Sequence, residues 1–164
     1  VPYVDQMFYL LGKTYDKLQT FVPIQEYQID YYKNRFLKYI NPGFIKCVTD
    51  ENDELVAFAI TMPSFSNALK KINGKVDLIG KLRLLHAKNF NHKGSLYLIG
   101  VRPDFQNKGV IAILFNELQK FYNKFGITEV ETNPELIENT AIQQLWKNYE
   151  NNQHKNRATF TKEI

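Results

Sequence analysis

The residues of this chain that are best suited to chemistry form a polar loop between an apolar strand and an apolar helix. The run VRPDFQNKGVI spans residues 101–111. The start of a helix presents backbone N–H groups that lack intrahelical partners, and the helix dipole adds partial positive charge there. Gly109 leaves the backbone open to close approach, and Lys108 adds a cation. The segment therefore predicts a site for a phosphate-bearing cofactor.

Two strands and a helix must position this loop. Residues 96–101 are almost continuously apolar, which predicts a central strand buried on both faces. Residues 109–125 carry apolar side chains at helical spacing, and Gly126 is a suitable stop. A strand over 127–132 completes a strand–helix–strand unit, in which the two strands are normally parallel.

The remaining periodicities predict a mixed α/β sheet with helices on both faces. We expect an antiparallel hairpin because the turn sequence DEND separates two β-rich segments. The other predicted helices cover 5–19, 25–40, 66–72, 78–87 and 138–149, and the other predicted strands cover 44–49, 54–62 and 157–164.

The composition suits one domain over residues 1–164. The chain is 44% hydrophobic and 23% charged, as is typical of soluble globular proteins. No apolar run reaches the roughly 18 residues that span a bilayer, and no signal peptide is visible. Because the first residue is Val1, we expect either a trimmed protein or a domain cut from a longer chain.

The single cysteine and the scattered histidines indicate neither a disulfide nor a metal site. Cys47 lies in an alternating apolar segment, where a buried inert thiol is expected rather than a nucleophile. Since no internal disulfide is possible, a reducing cytoplasm is the predicted location. His86, His92 and His154 show no metal-ligand spacing, so no metal site is predicted.

The positive charge is concentrated in one segment, residues 64–93. The whole chain has a net charge of +4, yet this segment holds seven Lys and Arg residues against one acid, Asp77. The excess fits a solvated basic face, or contact with an anionic substrate, a cofactor phosphate or a membrane surface. Nucleic acid is not the expected partner, because no recognition motif is present and the basic residues do not alternate with stacking aromatics.

The loop and a downstream segment resemble two motifs of the GNAT superfamily of N-acetyltransferases. The run over 101–111 is similar to the pyrophosphate motif V-x-P-x-x-R/Q-x-x-G-x-G/A. Asn139, followed by Leu145 and Trp146, resembles the second motif, N-x-x-A-x-x-L/F-Y. The order of elements matches over residues 1–164, most closely over 96–149. The resemblance implies an acyl-CoA N-acyltransferase fold, with acetyl-CoA or another acyl-CoA as co-substrate and no metal.

This resemblance also implies roles for the cofactor-binding residues. Backbone N–H groups of the loop would hold the CoA pyrophosphate, and the preceding strand would pair with the pantetheine arm. Gly100 would be a bulge or a point of close approach. The residues implied to contact the cofactor are Ile99, Val101, Gln106, Asn107, Lys108, Gly109, Val110, Ile111 and Asn139.

The implied reaction is direct transfer of an acyl group from CoA to an amine acceptor, a small molecule or a peptide. Backbone N–H groups near Ile99 would stabilise the oxyanion. Glu131 is the candidate base, Tyr149 the candidate acid, and Tyr97 a candidate for a proton relay. Each has a second interpretation: Glu131 as a solvated carboxylate at a strand end, and the tyrosines as packing residues.

Three positions depart from the family's pattern. Ile111 replaces glycine or alanine, Ile142 replaces alanine, and Trp146 replaces the tyrosine that protonates the leaving thiolate. An indole N–H does not deliver a proton in this way. Ile111 either crowds the phosphates or turns into the core. Two functions therefore stay open: an N-acyltransferase, and a catalytically inactive GNAT-like module that binds acyl-CoA or a partner.

Residues 64–93 form an insertion that has an apolar side as well as a basic one. One hypothesis is that it covers the acyl or acceptor site, which would favour a fatty acyl donor or an acceptor near a membrane. The other is a structural insertion packed on the edge of the sheet. A tandem protein or a homodimer is compatible with either.

Overall fold

The protein is described here from a computed structural model. The structure describes residues 2–15, 22–35, 37, 40–137, 139–158, 160 and 162, apart from the side chain at position 141. These residues form two compact units, Val1–Glu131 and Thr132–Ile164. The prediction of a single domain over 1–164 stays a prediction.

Ten regular elements follow one another along the described chain. They are α1 (Val4–Tyr15), α2 (Glu26–Arg35), β1 (Ile45–Thr49), β2 (Leu55–Pro63), α3 (Ser66–Ile72), α4 (Leu78–Asn89), β3 (Lys93–Val101), α5 (Val110–Phe125), β4 (Glu129–Thr132) and α6 (Thr140–Trp146).

The four strands form one sheet in the order β1-β2-β3-β4. The predicted antiparallel hairpin is confirmed, with Cys47 opposite Phe58. Strand β3 continues the antiparallel pattern on the other edge of β2 and pairs Val101 with Ala57. This order leaves β3 between β2 and β4, so its predicted central position is confirmed.

Strands β3 and β4 run in the same direction. The N–H groups of Thr128 and Glu129 both donate to the carbonyl of His92. Lys93 forms an ion pair with Glu129, and Gly94 lies against Val130. A constant offset of 36 positions is the pattern of parallel strands, as the sequence predicts. Because β4 is short, it ends level with Leu96.

Helices pack on both faces of the sheet, as predicted. On one face, α1 places Met7, Leu10 and Leu11 against Phe58 and Ile60. On the other face, the first turns of α5 pack against the sheet in an apolar cluster of Val56, Ala57, Val101, Val110 and Leu114. Strand β2 therefore contributes side chains to a core on each face of the sheet, which makes the fold a three-layered α/β architecture.

The C-terminal part of the chain differs from its predicted structure. The described residues of the predicted strand 157–164 are Arg157, Ala158, Phe160 and Lys162, and none lies in a strand. Phe160 is 89% exposed. A strand needs a hydrogen-bonded neighbour, and no neighbouring strand pairs with these residues.

Helix α6 is also shorter than the predicted helix over 138–149. The N–H groups of Lys147, Asn148 and Tyr149 donate to carbonyls three residues earlier, which tightens the end of the helix into a turn. The side chain of Tyr149 is consequently exposed instead of facing inward.

The predicted ends of α1 and α2 fall partly on positions 16–19, 36, 38 and 39, outside the described residues.

The irregularity of β3 lies at Tyr97 and not at Gly100. The pairing with β2 shifts between Leu98 and Leu96, which leaves Tyr97 as the bulged residue. Tyr97 is 39% exposed, so the prediction of a strand buried on both faces is wrong at this position. Gly100 is instead a point of close approach, because a Cβ there would lie 2.5 Å from Cε1 of Phe58.

We predict opposite effects for two glycine-to-alanine substitutions. Gly100→Ala should lower the free energy of unfolding by about 1–3 kcal/mol, because the new methyl group overpacks against the Phe58 ring. Gly12→Ala, in α1 with no atom within 4 Å of the new Cβ, should raise it by about 0.5–1 kcal/mol. Urea denaturation followed by circular dichroism measures both. Equal effects of the two substitutions would contradict the role given to Gly100.

Candidate cofactor loop and acyl-transfer site

The loop between β3 and α5 reverses the chain with two left-handed residues. A single 3-10 turn over Pro103–Phe105 follows the strand. Asn107 has φ 61° and Gly109 has φ 78°, and α5 begins at the next residue. Asparagine and glycine tolerate this region better than other residues. No atom of the described residues, apart from the neighbours of Gly109 in the chain, lies within 4 Å of a Cβ built on it.

Several backbone N–H groups around the start of α5 lack an acceptor among the described residues. The N–H groups of Ala112 and Ile113 donate to the carbonyl of Gly109, and the N–H of Lys108 donates to Phe105. Around the start of α5, the N–H groups of Asn107, Gly109, Val110 and Ile111 have no acceptor among the described residues. Consecutive donors at a helix start form a concave site for an anion.

The side chains at the helix start turn away from this site. Val110 is buried in the apolar cluster on the α5 face, and Ile111 packs against the same cluster. Of the two expectations for Ile111, packing into the core is therefore correct, and the residue does not crowd the loop. Lys108 places its Nζ 5.2 Å from the centre of the Phe105 ring and forms no ion pair with a described acid. The loop thus presents backbone donors and one cation.

Arg102 ties the loop to the turn between β1 and β2. Its guanidinium bonds Asp104 at 2.9 Å and reaches both Asp50 and Glu54 at 3.3 Å. The same group stacks over Phe105, with its central carbon 4.5 Å from the ring centre. The bond with Asp104 is the main cause of the raised pKa of Arg102. Arg102 therefore joins the loop to two carboxylates of the β1–β2 turn, Asp50 and Glu54.

Asp50 is the acceptor at the centre of that turn. Its Oδ1 accepts the N–H groups of Asn52 at 3.0 Å and Glu54 at 3.1 Å. Burial raises the pKa of Asp50, but these backbone bonds and the charge of Arg102 outweigh it, so the pKa lies below its ordinary value. The ionised carboxylate is thus the form that the fold favours.

The second half of β3 presents backbone groups on the edge that faces away from β2. The N–H of Arg102 donates to the carbonyl of Val56, so by alternation Ile99 and Val101 turn their backbone groups to the opposite edge. Strand β4 stops level with Leu96 and does not cover this edge. A gap between parting strands is where an extended ligand arm can pair with strand backbone.

Helix α1 occupies part of this edge through two hydroxyl groups that the sequence analysis missed. Tyr15 donates to the carbonyl of Ile99 at 3.1 Å, and the Thr14 hydroxyl shares its proton between the carbonyls of Leu10 at 2.8 Å and Val101 at 3.2 Å. Both residues end an apolar helical stripe, and this position is the only signal that the sequence carries for them. They help to fix the strand that leads into the loop.

The structure brings two of the three candidate proton-transfer residues to the place where the strands part. With the offset of 36 positions, Glu131 lies level with Ser95, and its side chain is half-buried. Tyr97, the bulged residue, is two positions further along β3, roughly 7 Å at the usual rise of a strand. Which face of the sheet the Glu131 carboxylate serves stays a prediction.

The remaining candidates belong to the second unit, Thr132–Ile164. Asn139 stands immediately before α6, and its carbonyl accepts the N–H of Gln143. The indole N–H of Trp146 donates to both carboxylate oxygens of Glu135, at 2.9 and 3.1 Å. Tyr149 is 41% exposed, with its ring centre 6.3 Å from that of Trp146. Trp146 thus has a specific hydrogen-bonding partner inside its own unit.

Comparison with known proteins assigns the family. A model described as "Acetyltransferase (GNAT) family" matches residues 12–149. The chain belongs to this family. The two motifs identified from the sequence, the loop and the segment around Asn139, both lie inside the matched range. A search of curated proteins finds no match to the chain.

Solved structures of acetyltransferases share the fold of this GNAT chain. AAC(6')-Iy, in complex with a CoA bisubstrate analogue, is 13% identical with a TM-score of 0.59, over 99% of this chain and 93% of that one. The ribosomal-protein-alanine N-acetyltransferase from Brucella melitensis is 14% identical with a TM-score of 0.58, over 98% and 93%. AAC(6')-IG from Acinetobacter haemolyticus is 14% identical with a TM-score of 0.56, over 95% and 92%. Identities this low establish the common fold alone.

The described residues contain neither a cluster of metal ligands nor a helix that could span a membrane. Among the described residues, no group of three or more His, Cys, Asp or Glu side chains is placed to hold a metal ion. No described helix has the length and apolar character needed to cross a membrane.

We predict that the support of the loop by Asp50 depends on pH. Asp50→Asn should lower the melting temperature at pH 7, because the amide keeps an acceptor but loses the charge that pairs with Arg102. The pKa of Asp50 is lower in the folded than in the unfolded protein, so this contribution is complete above about pH 4 and disappears as pH falls through the folded-state pKa. Thermal melts from pH 7 to pH 2 should show the two proteins converging.

The matched control for this prediction is Glu51→Gln in the same exposed turn. It removes the same charge without touching Arg102. A melting temperature that changes equally for both variants, or a difference that stays constant down to pH 2, would contradict the role of Asp50.

Proposed function

We propose that this GNAT-family chain is an acyl-CoA-dependent N-acyltransferase, which moves an acyl group from the CoA thioester to an amine. The observation that supports this most directly is the set of four N–H groups without acceptors at the start of α5. A pyrophosphate has the charge and size to accept several such donors at once, and the helix dipole favours it further. Lys108 supplies a cation at the same place.

The edge of β3 beyond the end of β4 is the proposed place for the pantetheine arm. Backbone groups of Ile99 and Val101 face that edge, and Gly100 between them keeps the strand in close contact with Phe58. The family's second motif assigns Asn139 to the cofactor as well, which stays a prediction. The co-substrate is acetyl-CoA or a longer acyl-CoA.

In the proposed reaction, the amine nitrogen attacks the thioester carbonyl, and the carbon–sulfur bond breaks as the amide forms. Glu131 is the proposed base that removes the amine proton. Backbone N–H groups of β3 near Ile99 would stabilise the negative charge on the carbonyl oxygen. The departing thiolate then takes a proton from water or from Tyr149. The indole of Trp146 does not deliver it, since its N–H is an extremely weak acid and is bound to Glu135.

That last observation favours a second candidate, a GNAT module that binds acyl-CoA without catalysis. The position where the family carries a tyrosine holds an indole engaged with a carboxylate. Both candidates require the cofactor loop, and they differ only in turnover.

Release of free thiol from acetyl-CoA in the presence of a panel of amines distinguishes the two candidates. Amine-dependent release supports the enzyme. CoA binding by calorimetry with no release across the panel supports the module. Absence of CoA binding would overturn both. Titration with palmitoyl-CoA beside acetyl-CoA tests the acyl length, and tighter binding of acetyl-CoA counts against a fatty acyl donor.

The acceptor is proposed only as a chemical class, a primary amine on a small molecule or a peptide. Related structures include an aminoglycoside acetyltransferase and a ribosomal-protein-alanine acetyltransferase, so the family's fold accommodates both classes. A cytoplasmic location and assembly as a homodimer or part of a tandem protein stay predictions.

We predict that Lys108→Gln weakens CoA binding by about three- to tenfold, because it removes one charge-assisted contact with the pyrophosphate. Isothermal titration calorimetry with CoA measures the change. Lys124→Gln, in the last turn of the same helix, is the matched control and should leave the dissociation constant within twofold. Equal dissociation constants of the two variants for CoA would show that Lys108 does not contact the pyrophosphate.

We predict that Glu131→Gln lowers kcat by about 10²-fold or more, since the variant lacks a base to accept the amine proton. The dissociation constant for CoA should not change. Glu129→Gln, two positions earlier on the same strand and paired with Lys93, is the matched control. A pH–rate profile adds a second readout, because the variant should lose the acidic limb. An unchanged kcat would exclude Glu131 as the base.

A further inference from the structure

Helices α3 and α4 expose an unusual amount of apolar surface. Seven large apolar side chains between residues 66 and 90 are more than half exposed: Leu69, Val76, Leu78, Ile79, Leu82, Leu85 and Phe90. We name residues 66–90 the helix-pair surface. Single exposed leucines are ordinary, but a contiguous group on two neighbouring helices marks an interaction site.

The outward direction of these leucines is built into α4. The residues that α4 buries are small: Gly80 and Ala87. A Cβ added at Gly80 would lie 2.9 Å from the carbonyl of Lys75, so the helix is seated closely by its glycine. Arg83 adds a hydrogen bond to the carbonyl of Lys71, which fixes α4 against α3. The larger side chains therefore face solvent as a consequence of packing.

Cations share this surface and have no acidic partners among the described residues. Six exposed basic residues lie on it: Lys70, Lys71, Lys75, Lys81, Arg83 and Lys88. The one acid of the segment, Asp77, is occupied as a helix cap, with Oδ1 accepting the N–H of Gly80 at 2.7 Å. The apolar patch is thus accompanied by a strong positive charge.

A groove of about 390 Å³ runs through the same surface. Its walls are Phe65, Leu84 and Leu85, and Lys81 and Lys88 line it with them. Apolar walls bordered by ammonium groups fit a hydrocarbon chain below an anionic head group.

The position of the helix pair leaves the cofactor loop free. Helix α3 follows the Pro63 end of β2, and α4 leads into the Lys93 end of β3. The loop at 102–109 lies at the other end of β3, nine strand residues away, or roughly 27 Å. A surface bound through the helix pair would therefore not block entry of the co-substrate.

We propose that the helix-pair surface docks on an anionic lipid bilayer. Leucine and phenylalanine side chains enter the interfacial region of a bilayer, and lysines beside them contact anionic head groups. A second copy of the chain is disfavoured, because two such surfaces would bring like charges together. A nucleic acid would pair with the cations and leave the leucines unused. An anionic membrane surface matches both the charge and the apolar exposure of residues 66–90.

Co-sedimentation with vesicles tests the proposal. The full chain should bind vesicles of phosphatidylcholine with 30–40% phosphatidylglycerol at least tenfold more tightly than vesicles of phosphatidylcholine alone, a composition range in which each nearby Lys or Arg contributes appreciably. The double variants Leu78→Ser/Leu82→Ser and Lys81→Gln/Lys88→Gln should each lose at least tenfold in partitioning. Ile113→Ser/Lys124→Gln, on exposed positions of α5, is the matched control and should bind like the unchanged chain.

The positions changed are exposed, and circular dichroism verifies that every variant folds. Binding that is equal for all variants, or no preference for anionic vesicles, would overturn the proposal. Dimerisation in light scattering that is lost in the Leu78→Ser/Leu82→Ser variant, without vesicle binding, would instead assign the surface to a second copy. None of the changed residues belongs to the cofactor loop, so CoA binding should be preserved in each variant.

Discussion

Both ends of the cofactor loop are anchored in one apolar cluster, and the candidate site depends on that contact. Val101, the last residue of β3, and Val110, the first of α5, pack together with Val56, Ala57 and Leu114. The cluster removes the side chains of the strand end and the helix start from solvent. Most of the residues between them are exposed, and several of the N–H groups around the helix start have no acceptor among the described residues. Burial of side chains on one side thus leaves the backbone of the candidate anion site accessible.

Polar contacts at the base of the loop also hold it in place. Arg102 links the loop to the β1–β2 turn through Asp50 and Glu54, and stacks on Phe105, which itself packs against the cluster. Because these contacts involve the base of the loop, they leave the donors at the helix start unoccupied. Along β3, hydroxyl groups of α1 donate to the carbonyls of Ile99 and Val101 and stabilise the strand that leads into the loop. A preorganised site loses less entropy when a ligand binds.

The difference in length between β3 and β4 gives the sheet its opening. Four residues of β4 accompany the first part of β3, and beyond that point β3 has an edge without a strand. An open sheet edge usually favours unwanted association, because its unpaired N–H and C=O groups can pair with another chain. Here the edge lies between the cofactor loop and Glu131, where a co-substrate with its own amide groups would complete it. Within the first unit, the helix-pair surface lies at the opposite end of β3 from the cofactor loop.

The sequence by itself determined the local elements and the chemistry of the loop. Apolar periodicity predicts α5 and the hairpin, and the run from Val101 to Ile111 predicts the anion site, because these features depend on residues near one another in the chain. Tertiary structure alone decided that Gly100 makes room for the Phe58 ring, that the bulge falls at Tyr97, and that Trp146 binds Glu135. It also decided that residues 157, 158, 160 and 162 form no strand, and that the leucines of α4 face outward. Each of these outcomes depends on which side chains and backbone groups meet after the elements pack, and periodicity carries no information about those contacts.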